Sequence, residues 1–243
     1  MTVATWVHTP LMTERHYLKE WSPVLGRDME LLVFGNAGLP LLVFPTSMGR
    51  FFQWEDFGMV DALRDKIEAG FVQLFCVDSV DEESWYASWK QPRDRVRRHL
   101  EYESYLADEL IPRLPEPPVG VGSSFGALHA LLLAVRRPSK VRGFIGMSGA
   151  YETRLWLDGY FDDDVYFTDP MSFLPGLADR AYLDPIGRMD KKIIATGEGD
   201  PNVEDSRHVA GLLNDKGLNV WFDLVPGWAH DWPYWKEMIR RYV

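Results

Sequence analysis

Short, continuously apolar runs alternate along this chain with longer stretches of helical periodicity, and this alternation constrains the fold more than any other feature. The apolar runs predict strands at residues 29–34, 41–44, 71–77, 119–122, 141–147, 192–196 and 219–225. Strands that are apolar on both faces are typical of parallel sheets covered by helices. The alternation therefore predicts an α/β fold, with a mostly parallel central sheet and helices on both faces.

The connections between these strands carry helix signals. Helices are predicted at residues 60–69, 102–111, 125–135, 205–216 and 235–242. Pro138 follows the third of them and Gly217 ends the fourth, as expected because proline cannot continue a helix and glycine readily adopts the left-handed conformation at helix ends. One α/β unit commonly reaches about 250 residues. We therefore predict a single domain over residues 1–243.

One connection, residues 151–190, breaks this rhythm because it is rich in aromatic residues, Asp, Gly and Pro. It holds three arginines against nine acids. A connection of about forty residues inside a compact domain is usually functional, which predicts a lid-like insertion. Its aromatic side chains either wall an apolar acyl pocket or pack among themselves. The triplet Asp162, Asp163 and Asp164 lacks the spacing of a calcium loop and predicts an acidic surface turn.

Composition excludes several classes of protein. With 46% hydrophobic and 14% aromatic residues the chain can bury a large core, unlike a disordered protein. A net charge of −10 repels a phosphate backbone, which argues against nucleic-acid binding. The single cysteine, Cys76, allows neither an intramolecular disulfide nor a thiolate metal cage. No apolar run has the length of a signal peptide core or a membrane span. We expect a cytoplasmic protein without a membrane partner.

The strongest local signal is the sequence GSSFG at residues 122–126, which follows a predicted strand and opens a predicted helix. The G-x-S-x-G spacing in this setting predicts a nucleophile elbow centred on Ser124. Glycines beside the serine let the chain make the sharp turn, and the helix N-terminus favours developing negative charge. The alternative is an unreactive glycine-rich turn. A dinucleotide-binding motif is disfavoured, since the last glycine gap is one residue too long and no acid follows at about twenty residues.

A serine nucleophile requires a base within hydrogen-bond distance. Of the six histidines, His230 lies after the last predicted strand and before the last helix. This is the position of the base in the chain order Ser–acid–His. Of the others, His129 and His208 lie in predicted helices, and His99 belongs to a basic run. His8 and His16 lie ahead of the predicted sheet. We interpret these as packing or surface residues.

The acid that orients the base is predicted at Asp200, just after the predicted strand 192–196. Because the carboxyl ends of parallel strands meet at one edge of a sheet, Asp200 is expected to lie near Ser124 and His230. Glu198 and Asp205 are the alternatives, although Asp205 fits better as an N-terminal acid of the following helix.

Two backbone N–H groups are expected to stabilise the oxyanion. One belongs to Phe125, the residue after the nucleophile. The other belongs to the loop PTSMG at residues 45–49. Since proline has no N–H, the donor is Thr46, Ser47 or Met48, and we favour Ser47. Many hydrolases have His-Gly at this loop, and this chain does not.

Four stretches of the chain, residues 44–51, 122–130, 162–167 and 230–235, carry a family resemblance. With them the chain resembles the esterase D-type branch of the α/β-hydrolase superfamily, which also contains feruloyl esterases and mycolyltransferases. The resemblance implies hydrolysis of a small-molecule carboxylic ester or thioester with no cofactor and no metal, and with Ser124, Asp200 and His230 as the triad. It does not define the substrate.

Two further functions remain open from the sequence. An acyltransferase uses the same triad and the same acyl-enzyme, with an alcohol in place of water. A non-catalytic binding protein on a hydrolase scaffold would fit the altered oxyanion loop and the acidic insertion. An exposed aromatic edge would permit a homodimer.

Overall fold

The computed structural model describes residues 14–243, so His8 lies outside the described residues. The strands in this part of the chain are β1 (Arg15–Ser22), β2 (Arg27–Phe34), β3 (Leu39–Phe44), β4 (Val72–Val77), β5 (Val119–Ser123), β6 (Gly143–Met147), β7 (Lys191–Gly197) and β8 (Trp221–Val225). These eight form one sheet in the order β1-β2-β4-β3-β5-β6-β7-β8. The β1–β2 and β2–β4 pairs are antiparallel, and the other pairs are parallel. The prediction of a mostly parallel sheet is confirmed.

Helices cover both faces of this sheet. They are α1 (Gln53–Asp56), α2 (Met59–Ala62), α3 (Arg64–Glu68), α4 (Pro92–Ser104), α5 (Phe125–Arg136), α6 (Asp163–Thr168), α7 (Pro170–Phe173), α8 (Arg180–Gly187), α9 (Val203–Asn214) and α10 (Trp232–Tyr242). Met59 of α2 and Met238 of α10 belong to the core on one face, whereas Leu128 of α5 and Val209 of α9 belong to the core on the other. None of the helices within residues 14–243 is long and apolar enough to cross a membrane.

The side chains of β3 show how the sheet separates two cores. Leu41 and Val43 join the cluster that contains α2 and α10, while Leu42 and Phe44 join the cluster that contains α4 and α5. All four are at most 1% exposed. A strand buried on both faces needs no polar face, which explains why the parallel strands are continuous apolar runs in the sequence.

The first strand, β1, is absent from the sequence prediction, which placed His16 ahead of the sheet. This was wrong, because His16 lies within β1. β1 is an antiparallel edge strand, and seven of its eight residues are exposed. Its charged residues, including Lys19 and Glu20, leave no apolar run to detect. Charged side chains are common on such edges, where they discourage pairing with another chain.

The bounds of all five predicted helices differ from the structure, and the helices predicted at 102–111 and 60–69 differ most. The helix predicted at 102–111 starts at Pro92 as α4 and continues into a π-helical stretch, Tyr105–Leu110. The buried face of α4 includes Arg95, His99 and Glu103, so its start carries no apolar periodicity. The helix predicted at 60–69 is divided into α2 and α3, which are interrupted at Leu63.

The connection at residues 151–190 contains a 3₁₀ turn, Thr153–Trp156, and the short helices α6, α7 and α8. The acidic triplet begins α6 and is not a simple surface turn. Asp162 caps that helix by accepting a hydrogen bond from the Val165 N–H at 2.9 Å, and the two following acids lie in the first turn, where the helix dipole favours them. The lid-like role of this segment stays a prediction.

The central position of α5 leads to a prediction about stability. Leu132 on α5 is 1% exposed, so Leu132→Ala should leave a cavity and lower the free energy of unfolding by about 2–5 kcal/mol. Leu155 is 72% exposed, and Leu155→Ala should change it by less than about 0.5 kcal/mol. Urea unfolding of both variants tests this. Equal effects would contradict the placement of α5 in the core.

Candidate active site

Ser124 lies on a strained turn between β5 and α5. Its backbone has φ 55° and ψ −123°, a conformation that residues with a side chain rarely adopt. A Cβ atom on Gly122 would lie 2.2 Å from the backbone of Gly126, and one on Gly126 would lie 2.5 Å from the carbonyl oxygen of Pro45. Only glycine fits at either position. The Ser124 N–H donates to the carbonyl of Met147 at 2.8 Å, which fixes the turn against β6.

The structure brings Ser124, His230 and Asp200 together. The Ser124 hydroxyl donates to Nε2 of His230 at 3.0 Å. On the other side of the ring, Nδ1–H of His230 lies 3.1 Å from each carboxylate oxygen of Asp200. The three residues follow β5, β8 and β7, whose carboxyl ends share one edge of the sheet. This is the hydrogen-bond order of a Ser–His–Asp triad.

The loops that carry Asp200 and His230 are packed tightly against each other. A Cβ atom on Gly197 would lie 2.0 Å from the carbonyl oxygen of Trp228, and the Gly199 N–H donates to that same oxygen at 2.9 Å. The imidazole of His230 also meets the ring of Trp235 edge to face, at a centroid distance of 4.9 Å and an angle of 86°. These contacts fix the position of His230 relative to Asp200.

Asp200 is 2% exposed, and its surroundings favour the ionised carboxylate. Burial raises the pKa of Asp200, but hydrogen bonds from His230, from the Ser148 hydroxyl and from the Asn202 N–H together hold it below its ordinary value. The Asn202 bond is 2.8 Å long. Ser148 Oγ in turn accepts from the Trp235 indole N–H at 2.9 Å. The carboxylate can therefore stabilise a protonated His230.

Sequence reasoning missed Ser148, Asn202 and Trp235 as supports of this acid. Asn202 and Trp235 lie two and five residues from Asp200 and His230 in the chain, so proximity to those residues was a usable signal. Ser148 gave no such signal. It lies directly after β6, and its positive φ of 54° is a property of the folded turn.

The alternative acids and bases lie elsewhere. Glu198 is exposed, and Asp205 accepts a hydrogen bond from the Tyr151 N–H at 3.4 Å. His129 is buried on α5 and donates to Asp81, and His99 is buried with neither ring nitrogen hydrogen-bonded. The remaining described histidines, His16 and His208, are exposed.

The loop at residues 45–49 offers few free donors. The Thr46 N–H donates to Oε1 of Gln53 at 2.8 Å, and the Met48 N–H donates to Oδ2 of Asp81 at 3.1 Å. Of the three candidates, this leaves Ser47 with an N–H that has no acceptor among the described residues. Its side chain accepts from the Tyr86 hydroxyl at 2.8 Å. The oxyanion roles of Ser47 and Phe125 stay predictions.

The aromatic residues of segment 151–190 do not form one wall. Trp156 packs against Phe125, next to the nucleophile, with a centroid distance of 5.0 Å. Four others line a cavity of about 440 Å³ beside Arg136 and Arg137, namely Tyr166, Phe167, Phe173 and Tyr182. That cavity lies at the C-terminal end of α5, about 18 Å along the helix from Ser124. Trp156 thus contacts the residue that follows Ser124.

Comparison with known proteins identifies the fold. No family model matches the chain, and no curated protein matches its sequence. A solved ferulic acid esterase matches with a TM-score of 0.72 and 14% identity, covering 94% of this chain and 95% of that chain. An S-formylglutathione hydrolase from Staphylococcus aureus matches with a TM-score of 0.64 and 18% identity, covering 94% and 95%. The fluorophosphonate-binding serine hydrolase F of the same organism matches with a TM-score of 0.68 and 18% identity, covering 94% and 96%.

These likenesses and the strand order define an α/β-hydrolase fold. The expectation drawn from the sequence is confirmed at the level of the fold.

The lowered pKa of Asp200 predicts a pH dependence of stability. A carboxylate with a depressed pKa stabilises the fold above the pKa of the unfolded chain, about 3.9, and this stabilisation is lost as the pH falls through the folded pKa. The unfolding free energies of the wild type and Asp200→Asn should therefore differ most near pH 7 and converge below about pH 4. Urea unfolding between pH 3 and 7 measures this, with the exposed Glu198→Gln as the control. A constant difference would contradict it.

Proposed function

We propose that the protein is a serine hydrolase that cleaves a carboxylic ester or thioester through an acyl-enzyme on Ser124. The observation that carries this proposal is the continuous hydrogen-bond relay from Ser124 through His230 to Asp200, with distances of 3.0 and 3.1 Å. A serine that only packs in a turn does not require an imidazole held by a buried carboxylate. The strained backbone at Ser124 supports the same proposal, since such strain concentrates at functional sites.

In the first half of the proposed reaction, Ser124 Oγ attacks the substrate carbonyl while Nε2 of His230 takes the hydroxyl proton. The carboxylate of Asp200 stabilises the imidazolium that forms. The carbonyl oxygen becomes an oxyanion and accepts hydrogen bonds from the N–H groups of Phe125 and Ser47. When the intermediate collapses, the bond to the leaving group breaks. His230 then donates its proton to the departing alcohol or thiol.

In the second half, water enters where the leaving group departed. His230 takes a proton from the water as its oxygen attacks the acyl carbon, and a second oxyanion forms at the same two N–H groups. Collapse releases the carboxylic acid, and the proton returns from His230 to Ser124 Oγ. An alcohol in place of water would give a new ester, so acyl transfer differs from hydrolysis only in this step.

The names of the similar structures support a carbonyl substrate. They include a ferulic acid esterase, an S-formylglutathione hydrolase and a fluorophosphonate-binding serine hydrolase, so the fold accommodates ester and thioester substrates in other proteins. The net charge of −10 favours a small-molecule substrate over a polyanion. A cytoplasmic location belongs to the same proposal and is supported by the single buried cysteine.

Chemical labelling tests the nucleophile. A fluorophosphonate probe should modify Ser124, as located by mass spectrometry of the digested protein, and Ser124→Ala should abolish the adduct. The same variant should lower kcat for p-nitrophenyl acetate by about 10³-fold or more.

The chain offers a matched control at the preceding residue. Ser123 is fully buried and its hydroxyl has no hydrogen-bond partner, so Ser123→Ala should keep activity within a few-fold. Labelling at any other residue, or turnover that survives Ser124→Ala, would overturn the proposal. Product analysis with added alcohol then separates hydrolysis from acyl transfer.

A further inference from the structure

We propose that Asp81, together with His129 and Tyr86, positions the Ser47 N–H as the second oxyanion donor. This inference rests on the proposed function and assigns a role to three residues outside the Ser124, His230 and Asp200 relay.

Asp81 is a buried carboxylate with both oxygens engaged. It is 0% exposed, its Oδ1 accepts from Nε2 of His129 at 3.0 Å, and its Oδ2 accepts from the Met48 N–H at 3.1 Å. Met48 has a positive φ of 54°, which is unfavourable for a residue with a side chain. A hydrogen bond to a charged group is stronger than a neutral one. Asp81 therefore fixes the Ser47–Met48 peptide group, and through the Cα atom of Ser47 it restricts the adjoining Thr46–Ser47 peptide group, which carries the Ser47 N–H.

Tyr86 contacts the same turn from the side of Ser47. Its hydroxyl donates to Ser47 Oγ at 2.8 Å, and its N–H donates to the carbonyl oxygen of Asp81 at 3.0 Å. Its ring meets the ring of Phe125, the other predicted donor, with a centroid distance of 5.6 Å. The short segment from Asp81 to Tyr86 thus contacts the side chain of Ser47, the N–H of Met48 and the ring of Phe125.

We call Asp81, Tyr86 and His129 together the clamp. His129 connects the other two residues to α5, the helix that begins after Ser124. It lies on α5, five residues after Ser124, and is 3% exposed. Its ring packs against Phe44 at 5.8 Å and Phe125 at 5.2 Å. The two predicted donors belong to different segments, the turn after β3 and the start of α5. Through its bond to Met48, Asp81 and its hydrogen bond with His129 link those two segments, in addition to the contact between Gly126 and the Pro45 carbonyl.

Two residues outside the clamp, Gln53 and Gly49, also hold the turn. Gln53 binds Thr46 twice, accepting from its N–H at 2.8 Å and donating to its Oγ1 at 2.9 Å. The Gly49 N–H donates at 2.8 Å to the carbonyl of Thr46, which belongs to the same peptide group as the Ser47 N–H, so this bond acts together with the clamp on that N–H. Ser47 is then the position where an N–H remains for a ligand, and the clamp keeps it oriented before substrate binds. An oxyanion donor is worth about 10²–10³-fold in kcat, and a displacement of about 1 Å costs about 10²-fold.

The test compares variants of the clamp on the full-length chain. Asp81→Ala removes both hydrogen bonds and should lower kcat for p-nitrophenyl acetate by about 100-fold, with KM within about threefold, because the oxyanion forms only in the transition state. Asp81→Asn keeps a side-chain oxygen that accepts from the Met48 N–H, so it should restore kcat to within about tenfold of the wild type. Tyr86→Phe should lower kcat by about tenfold.

A second readout and a control separate positioning from folding. Affinity for a trifluoromethyl ketone, which forms an oxyanion with the serine, should fall in proportion to kcat. Asp169 is also a buried carboxylate, but it binds Thr153 and Ser172 in the segment 151–190. Asp169→Ala should lower Tm as Asp81→Ala does and keep kcat near the wild-type value.

The outcomes distinguish this inference from the proposed function. A wild type without turnover and without a fluorophosphonate adduct on Ser124 refutes the proposed function, and the clamp with it. An active wild type whose folded Asp81→Ala variant keeps kcat refutes the clamp alone. If Asp81→Ala does not fold, Tyr86→Phe decides: unchanged kcat and ketone affinity overturn the clamp, and a parallel loss of both supports it.

Discussion

The close approach of β5, α5 and the turn after β3 is the constraint on which the rest of the structure depends. This approach is possible because residues 122 and 126 are glycines. The backbone of Gly126 occupies the space that a Cβ atom on residue 122 would need, and the carbonyl of Pro45 occupies the space that one on residue 126 would need. This contact forces Ser124 into its strained conformation and places it at the start of α5. It also puts the carbonyl of Pro45 against the same helix. Ser124 and the predicted oxyanion turn are thus parts of one packed unit.

The parallel sheet then brings the hydrogen-bond partners of Ser124 to the same edge. Asp200 and His230 come from loops after β7 and β8, and strands that run the same way deliver their loops to the same edge. The contact of Gly197 with the backbone of Trp228 brings those loops together. Precise geometry at the site therefore comes from packing between backbones, to which hydrogen bonds from the Ser148 hydroxyl and the Asn202 backbone N–H are added.

Local signals in the sequence were sufficient for seven of the eight strands of the described sheet and for the residues that meet at its edge. Strands such as β3 are buried on both faces and therefore appear as apolar runs in the sequence. The glycines of GSSFG are required because the turn around Ser124 has no room for side chains at residues 122 and 126. The failures have a common cause. β1 is exposed and charged, and α4 buries Arg95 and His99, so neither shows an apolar pattern. Asp81 and Ser148 contribute through contacts that exist only after folding, which no local pattern encodes.

The burial of α5 has a consequence for how the molecule loses its native state. All residues of this helix from Phe125 to Val135 are buried, and regions of this kind open only with the whole domain, whereas exposed segments fray separately. The amide protons of α5 should then exchange with solvent as slowly as any in the molecule. Heating would then unfold the domain as a whole, with no partly unfolded species in which only the start of α5 and Ser124 have lost their structure.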